Sequence, residues 1–138
     1  MCFIAGTKVL IPEGFVAIEN LTVGGEVLAR DLSRGETIAA KIICTFRNLA
    51  TELVVIKVLG ETIRCTKSHP FWTINRGWAR AKNLTVSDIL QDSHGNPVPI
   101  LDIEHKGLLS PVEVYNIEVE DFHNYHVGIA GILSHNRC

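Results

Sequence analysis

The sequence predicts an all-β fold of many short strands. Segments rich in Val, Ile, Thr and aromatic residues recur along the chain, and several alternate in polarity. Gly-containing turn signals separate them. No segment sustains a 3.6-residue apolar period, so no long helix is expected.

In chain order, strands are expected at Lys8 to Ile11, Glu26 to Asp31, Thr37 to Arg47 and Leu53 to Leu59. Phe71 to Ile74, Pro97 to Ile103 and Val112 to Val119 follow. The turns are Ser33-Arg34-Gly35, Gly60-Glu61, Arg76-Gly77 and His94-Gly95-Asn96. Asn20-Leu21-Thr22-Val23 recurs as Asn83-Leu84-Thr85-Val86, and each copy is read as opening a short helix or turn. Gly14-Phe15 precedes the first copy at the interval by which Gly77-Trp78 precedes the second. Ile56-Lys57-Val58 matches Ile117-Glu118-Val119 in the same way. The chain reads as two related halves of about 60 residues, hence a pseudo-two-fold domain and not a solenoid.

The chain has 138 residues, 46% of them hydrophobic, which suits one domain spanning 1–138 with its own core. The net charge of -2 comes without a long charge run, so neither nucleic acid nor a membrane surface is expected as a partner. The N-terminus lacks the basic region and apolar run of a signal peptide. The cysteines are Cys2, Cys44, Cys65 and Cys138, and no pair has CxxC spacing. Cys44 and Cys65 read as small buried hydrophobes. Cys65 and His69 have no second ligand pair near them in sequence, so no zinc site is expected.

Candidate chemistry sits at both ends. Cys2 can attack the carbonyl on its N-terminal side, giving a thioester and a free amine, if its thiol has a low pKa or a base nearby. Thr66 and His69, in Thr66-Lys67-Ser68-His69-Pro70, can hold the scissile amide and supply its proton; Pro70 keeps His69 out of helix. A proton donor of this kind predicts a rate change near the histidine pKa, about 6.5 before its environment shifts it. Asn136 can attack its own backbone carbonyl with its side-chain amide, and tethering drives that step. His135 can donate to that carbonyl oxygen, and His123 can act as base or orienter. His94, His105 and His126 have no evident role and read as surface or satisfied polar residues.

Cys2 through Leu10, Thr66 to Pro70 and Val114 to Asn136 resemble the terminal and internal motifs of the Hedgehog/intein (Hint) group. The resemblance spans essentially the whole chain. Val114-Tyr115-Asn116-Ile117-Glu118-Val119, followed by His123-Asn124-Tyr125, is most similar to bacterial intein-like domains. It implies a flat horseshoe of strands with pseudo-two-fold symmetry and both termini at one centre. It also implies self-catalysed processing with Cys2, Thr66, His69, His123, His135 and Asn136 as the site. No metal or organic cofactor is implied. The partners implied are the chain's own flanking segments, acting in cis on a monomer, in a bacterial host protein whose compartment it follows.

Two departures from the family pattern matter. Arg137 stands where inteins are followed by Cys, Ser or Thr, which favours cleavage over splicing. Asn116 stands where many inteins carry an acidic residue that couples the two cleavages. With no added region after Asn136, sterol transfer is not expected. The alternatives are a processing module that frees a toxin or adhesin segment, a Cys-His hydrolase acting in trans, and an inert β-domain used for binding.

Overall fold

A computed structural model describes residues 1–136. Almost every element is a strand. The first, β1 (Phe3–Ile4), is short, and Gly6 then turns the chain with a positive φ of 83°. β2 (Lys8–Ile11) and β3 (Gly14–Ala17) form a hairpin pairing Leu10 with Phe15. One turn of 3-10 helix, Ile18–Asn20, follows and buries Ile18. β4 (Glu26–Asp31) then pairs with β5 (Glu36–Val58) across the Ser33-Arg34-Gly35 turn. Asp31 shapes that turn, since its carboxylate accepts from Ser33 and Arg34.

The second half repeats the plan. β6 (Glu61–Cys65) returns along β5. β7 (Pro70–Thr73) and β8 (Gly77–Arg80) form a hairpin pairing Trp72 with Trp78. A second turn of 3-10 helix, Ala81–Asn83, buries Ala81 where the first buries Ile18. β9 (Ile89–Gln91) and β10 (Pro97–Pro99) lead into β11 (Asp102–Val119). β12 (Asn124–Val127) and β13 (Ile132–His135) close the described chain.

The duplication is therefore structural. The repeated Asn-Leu-Thr-Val pieces close the short helical turns, and each then opens a further turn, in which the Gly25 amide bonds back to the Thr22 carbonyl and the Asp88 amide to the Thr85 carbonyl. Asn20 and Asn83 are the last residues of the two helical turns, and the Leu21 and Leu84 amides bond back to the Ile18 and Ala81 carbonyls. The segments expected separately at Thr37 to Arg47 and Leu53 to Leu59 are one strand of 23 residues. Asn48 and Thr51 read as a break because they are polar. They lie instead in a stretch of β5 whose side chains are largely exposed, where a strand needs no apolar face. That stretch pairs antiparallel with β11, with a register shift between Gly107 and Val112. Pro97 to Ile103, expected as one strand, is split, with Ile100 and Leu101 belonging to neither β10 nor β11.

The strands form two sheets. One runs β11-β1-β6-β5-β4, and the other β10-β9-β7-β13-β12-β2-β3. β1 is thus inserted between β11 and β6, and β13 between β7 and β12. Both end strands lie inside sheets and not at edges, which brings the two ends of the domain to its interior. Phe3 anchors the first, with its ring fully buried against His69, Phe71 and Tyr125. Burying a phenylalanine this completely is worth about 3–5 kcal/mol against its truncation to alanine.

Two residues depart from the expected environment. Cys44 is only half-buried, because it lies on the solvent-exposed part of β5. Cys65, by contrast, is fully buried as expected, and desolvation pushes its thiol well above the usual range. His126 is not a surface residue but is fully buried. Its Nδ1 lies 2.9 Å from the Gly131 carbonyl, so Nδ1 carries the proton, while Nε2 has no partner.

Burial lowers the His126 pKa to about 4; the Gly131 carbonyl and Asp92 oppose this, while Arg30 and His94 add to it. Its folded value thus lies below its unfolded value of about 6.5. The stabilisation is complete above that unfolded value and is lost as pH falls toward about 4. The urea midpoint is expected to fall across that window, by no more than about 1.4 kcal/mol per pH unit for this group. In His126→Gln the same curve is flatter. A midpoint equally steep in the variant contradicts the assignment.

Candidate functional site

The centre is built where β1 and β13 enter their sheets. Cys2 precedes β1, and Thr66 follows β6, the neighbour of β1. The Cys2 amide donates to Thr66 Oγ1 at 2.9 Å, and the Thr66 amide donates to the Cys2 carbonyl at 2.9 Å. The nitrogen of the Met1–Cys2 peptide bond is thus held by the Thr66 hydroxyl. The Cys2 side chain is buried with Leu53 and Val114. Burial raises its thiol pKa, opposed by the Met1 ammonium. The low thiol pKa that nucleophilic attack would favour is therefore absent, and the site needs a base.

His69 is fully buried, and neither ring nitrogen has a hydrogen-bond partner. Its ring centroid lies 4.2 Å from that of Phe3 and 5.5 Å from that of Phe71. The turn holding it is closed by the His69 amide on the Thr66 carbonyl, and Ala81 donates to the His69 carbonyl. Burial lowers its pKa to about 3, and the Met1 ammonium lowers it further. Its surroundings thus move its pKa well below the ordinary histidine value of about 6.5. The imidazole packs on Phe3 of β1, and β7, which His69 immediately precedes, pairs with β13, so His69 lies between the two end strands.

The other end is equally enclosed. The Asn136 side chain is fully buried. Its Nδ2 donates to the Val119 carbonyl at 3.3 Å, and its Oδ1 has no partner. Its backbone amide donates to the His123 carbonyl at 2.9 Å. That carbonyl is aimed by a tight turn in which Asp121 and His123 both have positive φ, 66° and 56°. His123 thus reaches Asn136 through its backbone, while its side chain is exposed.

His135 Nδ1 lies 3.2 Å from the Asn136 carbonyl oxygen. A carbonyl oxygen only accepts, so Nδ1 carries the proton. The His135 ring is half-buried, edge-on to Trp78 with centroids 4.8 Å apart. Burial lowers its pKa, the Asn136 carbonyl opposes this, and His123 adds to the lowering.

The structure places Cys2 with Thr66, places Asn136 with His135 and the His123 backbone, and sets His69 between the two ends. The sequence reading did not find Trp78, Tyr125 or the Val119 carbonyl. Trp78 shares its position in the repeat with Phe15, which hid it as an ordinary repeat residue. A cavity of about 230 Å³ lies beside Cys2, lined by Met1, Phe46, Arg47, Asn48 and Asn116. Among the described residues, no group of three or more His, Cys, Asp and Glu is placed to hold a metal ion. No helix among the described residues is long and apolar enough to cross a membrane. Arg137 and Cys138 lie outside the described residues.

Two symmetric β-halves that enclose a cysteine at one end, an asparagine at the other and an imidazole between them define a self-processing domain of the Hedgehog/intein type. Such domains act on the polypeptide of which they are part, by splicing or cleavage. The chain belongs to the pretoxin HINT domain family, whose profile matches residues 8–137. It is 38% identical to the bacterial intein-like domain from Clostridium thermocellum, over 98% of each chain, with a TM-score of 0.94. The DnaB intein from Synechocystis sp. PCC 6803 shares the fold over 99% of each chain, at 23% identity and a TM-score of 0.85. The gp41-1 intein is 25% identical over 98% of each chain, with a TM-score of 0.81. No match is found among curated proteins.

Proposed function

We propose that this domain cuts the chain that carries it at both of its ends, and frees a downstream segment as its main product. The observation that carries the reading is the buried, neutral His69 between the two ends, with Thr66 on the Cys2 amide and His135 on the Asn136 carbonyl.

The first step is an N–S acyl shift. Neutral His69 takes the proton of the Cys2 thiol, and the sulfur attacks the Met1 carbonyl carbon. The C–N bond of the Met1–Cys2 peptide then breaks, and the imidazolium returns its proton to the departing nitrogen, which Thr66 holds. A thioester at Met1 and a free Cys2 amine result. Burial makes the imidazolium costly, so taking the thiol proton is the uphill half of this shuttle and returning it to the departing nitrogen is the downhill half.

The second step is cyclisation. Asn136 Nδ2 attacks the Asn136 carbonyl carbon, the peptide bond to Arg137 breaks, and the proton that Nδ2 loses passes to the Arg137 nitrogen, which leaves as an amine. Nδ2 is polarised by its bond to Val119, and the developing oxyanion is met by His135 Nδ1–H. The product is a terminal succinimide. The reaction needs no metal or organic cofactor, and the domain acts as a monomer on its own flanks. The pretoxin family match favours a toxin segment as the downstream cargo.

Arg137 offers no side chain to accept the acyl group, so separate fragments are expected to dominate over ligated flanks. The test is the ratio of ligated to cleaved species, by gel and mass, in precursors with folded flanks. Arg137→Cys is expected to raise the ligated fraction. Dominant ligation in the unaltered chain, lost on Cys138→Ala, would overturn this product balance.

A further inference from the structure

Tyr125 and Asn116 form a buried polar pair that the two steps above do not use. The register of β1 on β11 pairs Phe3 with Tyr115 and Ile4 with Val114. The strands are antiparallel, so the next position places Cys2 opposite Asn116. Side chains directly opposite on neighbouring strands share a face and stand close. Consistently, Ile4 and Val114 pack with Cys2, and Asn116 lines the cavity beside it.

The orientation of the Asn116 amide is fixed. Its Oδ1 accepts the Ile117 amide at 2.9 Å and the Tyr125 hydroxyl at 2.6 Å. A backbone N–H only donates, so the oxygen is the end that faces it. The Nδ2 end takes part in neither of these bonds, and Asn116 lines the cavity beside Cys2. Tyr125 itself cannot drift: it is fully buried, its carbonyl accepts from Ser134, and its ring packs on Phe3. Burial keeps its hydroxyl protonated, so it remains a donor.

We propose that Tyr125 is a positioning residue for cleavage before Cys2: its hydroxyl locks Asn116 so that the amide N–H groups of Asn116 face Cys2. There they stabilise negative charge, first on the thiolate and then on the oxyanion formed from the Met1 carbonyl. Their help matters because the thiolate is costly in this enclosed place. The other ionisable groups around Cys2 are Cys65 on β6, Arg47 on β5, His69 and the Met1 terminus. Among these neighbours, Asn116 is the uncharged donor on the strand paired to Cys2. Tyr125 sits on β12, hydrogen-bonded to the strand that carries His135, so its hydroxyl reaches from the downstream end to the upstream one.

This inference rests on the reading of Cys2 as the first nucleophile, and the experiment separates the two. Alkylation of Cys2 by iodoacetamide is followed against pH by peptide mass in the full chain, for the unaltered protein, Tyr125→Phe, Asn116→Leu and Asn116→Asp. Loss of one hydrogen bond to a charged sulfur is expected to slow Cys2 alkylation at neutral pH by about tenfold in each variant. Asn116→Asp keeps the size and both accepted bonds but, when ionised, replaces the donors with a negative charge. It tests the charge at this position, while Asn116→Leu tests loss of the donors without a charge. Tyr125→Phe in an Asn116→Leu background is expected to add nothing further, since Tyr125 acts through Asn116.

In a flanked precursor, thiol-dependent cleavage before Cys2 is expected to fall to a similar extent in the same variants, while release after Asn136 stays within about twofold. Unchanged Cys2 alkylation in both Tyr125→Phe and Asn116→Leu overturns the proposal. So do additive losses in the double variant, or parallel loss of both cleavages, which mark a structural role. A precursor that never cleaves before Cys2 refutes the nucleophile reading, while the alkylation arm still decides the role of Tyr125.

Discussion

Asn136→Ala is expected to abolish release of whatever follows residue 136, while the domain still folds. The Asn136 amide is the one group tethered at its own carbonyl, and its burial excludes a solvent substitute. The fold should tolerate the change. Alanine forfeits one 3.3 Å bond to Val119 but also removes an oxygen that has no partner. His135→Ala is expected to slow the same step by about 10²-fold or more, because the 3.2 Å contact to the carbonyl oxygen is lost. Gel and mass quantitation of the fragment beginning at Arg137 checks both. Release at the original rate in Asn136→Ala means that hydrolysis, and not cyclisation, cuts the chain.

The second large effect concerns the upstream bond. Added dithiothreitol is expected to cleave before Cys2 by intercepting the thioester, and Cys2→Ala to remove that sensitivity. His69→Ala is expected to reduce it by about 10²–10⁴-fold, the range for one acid-base group. The pH behaviour follows from the lowered His69 pKa. A neutral imidazole is required to take the thiol proton, so protonating His69 stops the step. Its folded pKa of about 3 places that loss far below neutrality and not near 6.5. In a chain extended upstream the Met1 ammonium becomes an amide, but burial, the larger cause, remains. Titration of the His69 ring by NMR checks this directly. A ring that titrates near 6.5 contradicts the neutral-base role, as does thiol-dependent cleavage that survives Cys2→Ala.

The all-β class was legible because alternation, Gly turns and the repeat all pointed the same way. β2 and β4 have the bounds their residues predict, Lys8–Ile11 and Glu26–Asp31. Several strands escaped, among them Gly14–Ala17, Glu61–Cys65 and Gly77–Arg80, which are short partners of neighbouring strands. Asn124–Val127 and Ile132–His135 are buried in the second sheet, so they lack the alternation that marks a strand with one wet face. Asn48 and Thr51 looked like a break because their side chains are polar. The β5–β11 pairing there is set by main-chain bonds in an exposed stretch and not by an apolar stripe.

The site residues were legible as chemistry at the ends of the chain. Their environment was not, since burial of His69 and the Asn116–Tyr125 bond depend on strands far apart in sequence. His126 shows the same limit. Nothing in Tyr125-His126-Val127 distinguishes a buried histidine from a surface one until β12 is placed between β13 and β2.

The central claim is that the domain cuts its own chain by cyclisation of Asn136 and a thioester at Cys2. The most direct test is the intact mass of the fragments from a precursor with folded proteins on both sides. The account predicts a domain fragment ending at Asn136 that is one water lighter than hydrolysis would leave, as a succinimide requires. It also predicts an upstream fragment ending at Met1 that carries the added thiol. A fragment ending at Asn136 with a free carboxylate from the earliest time point, or a precursor whose mass never changes, would contradict it.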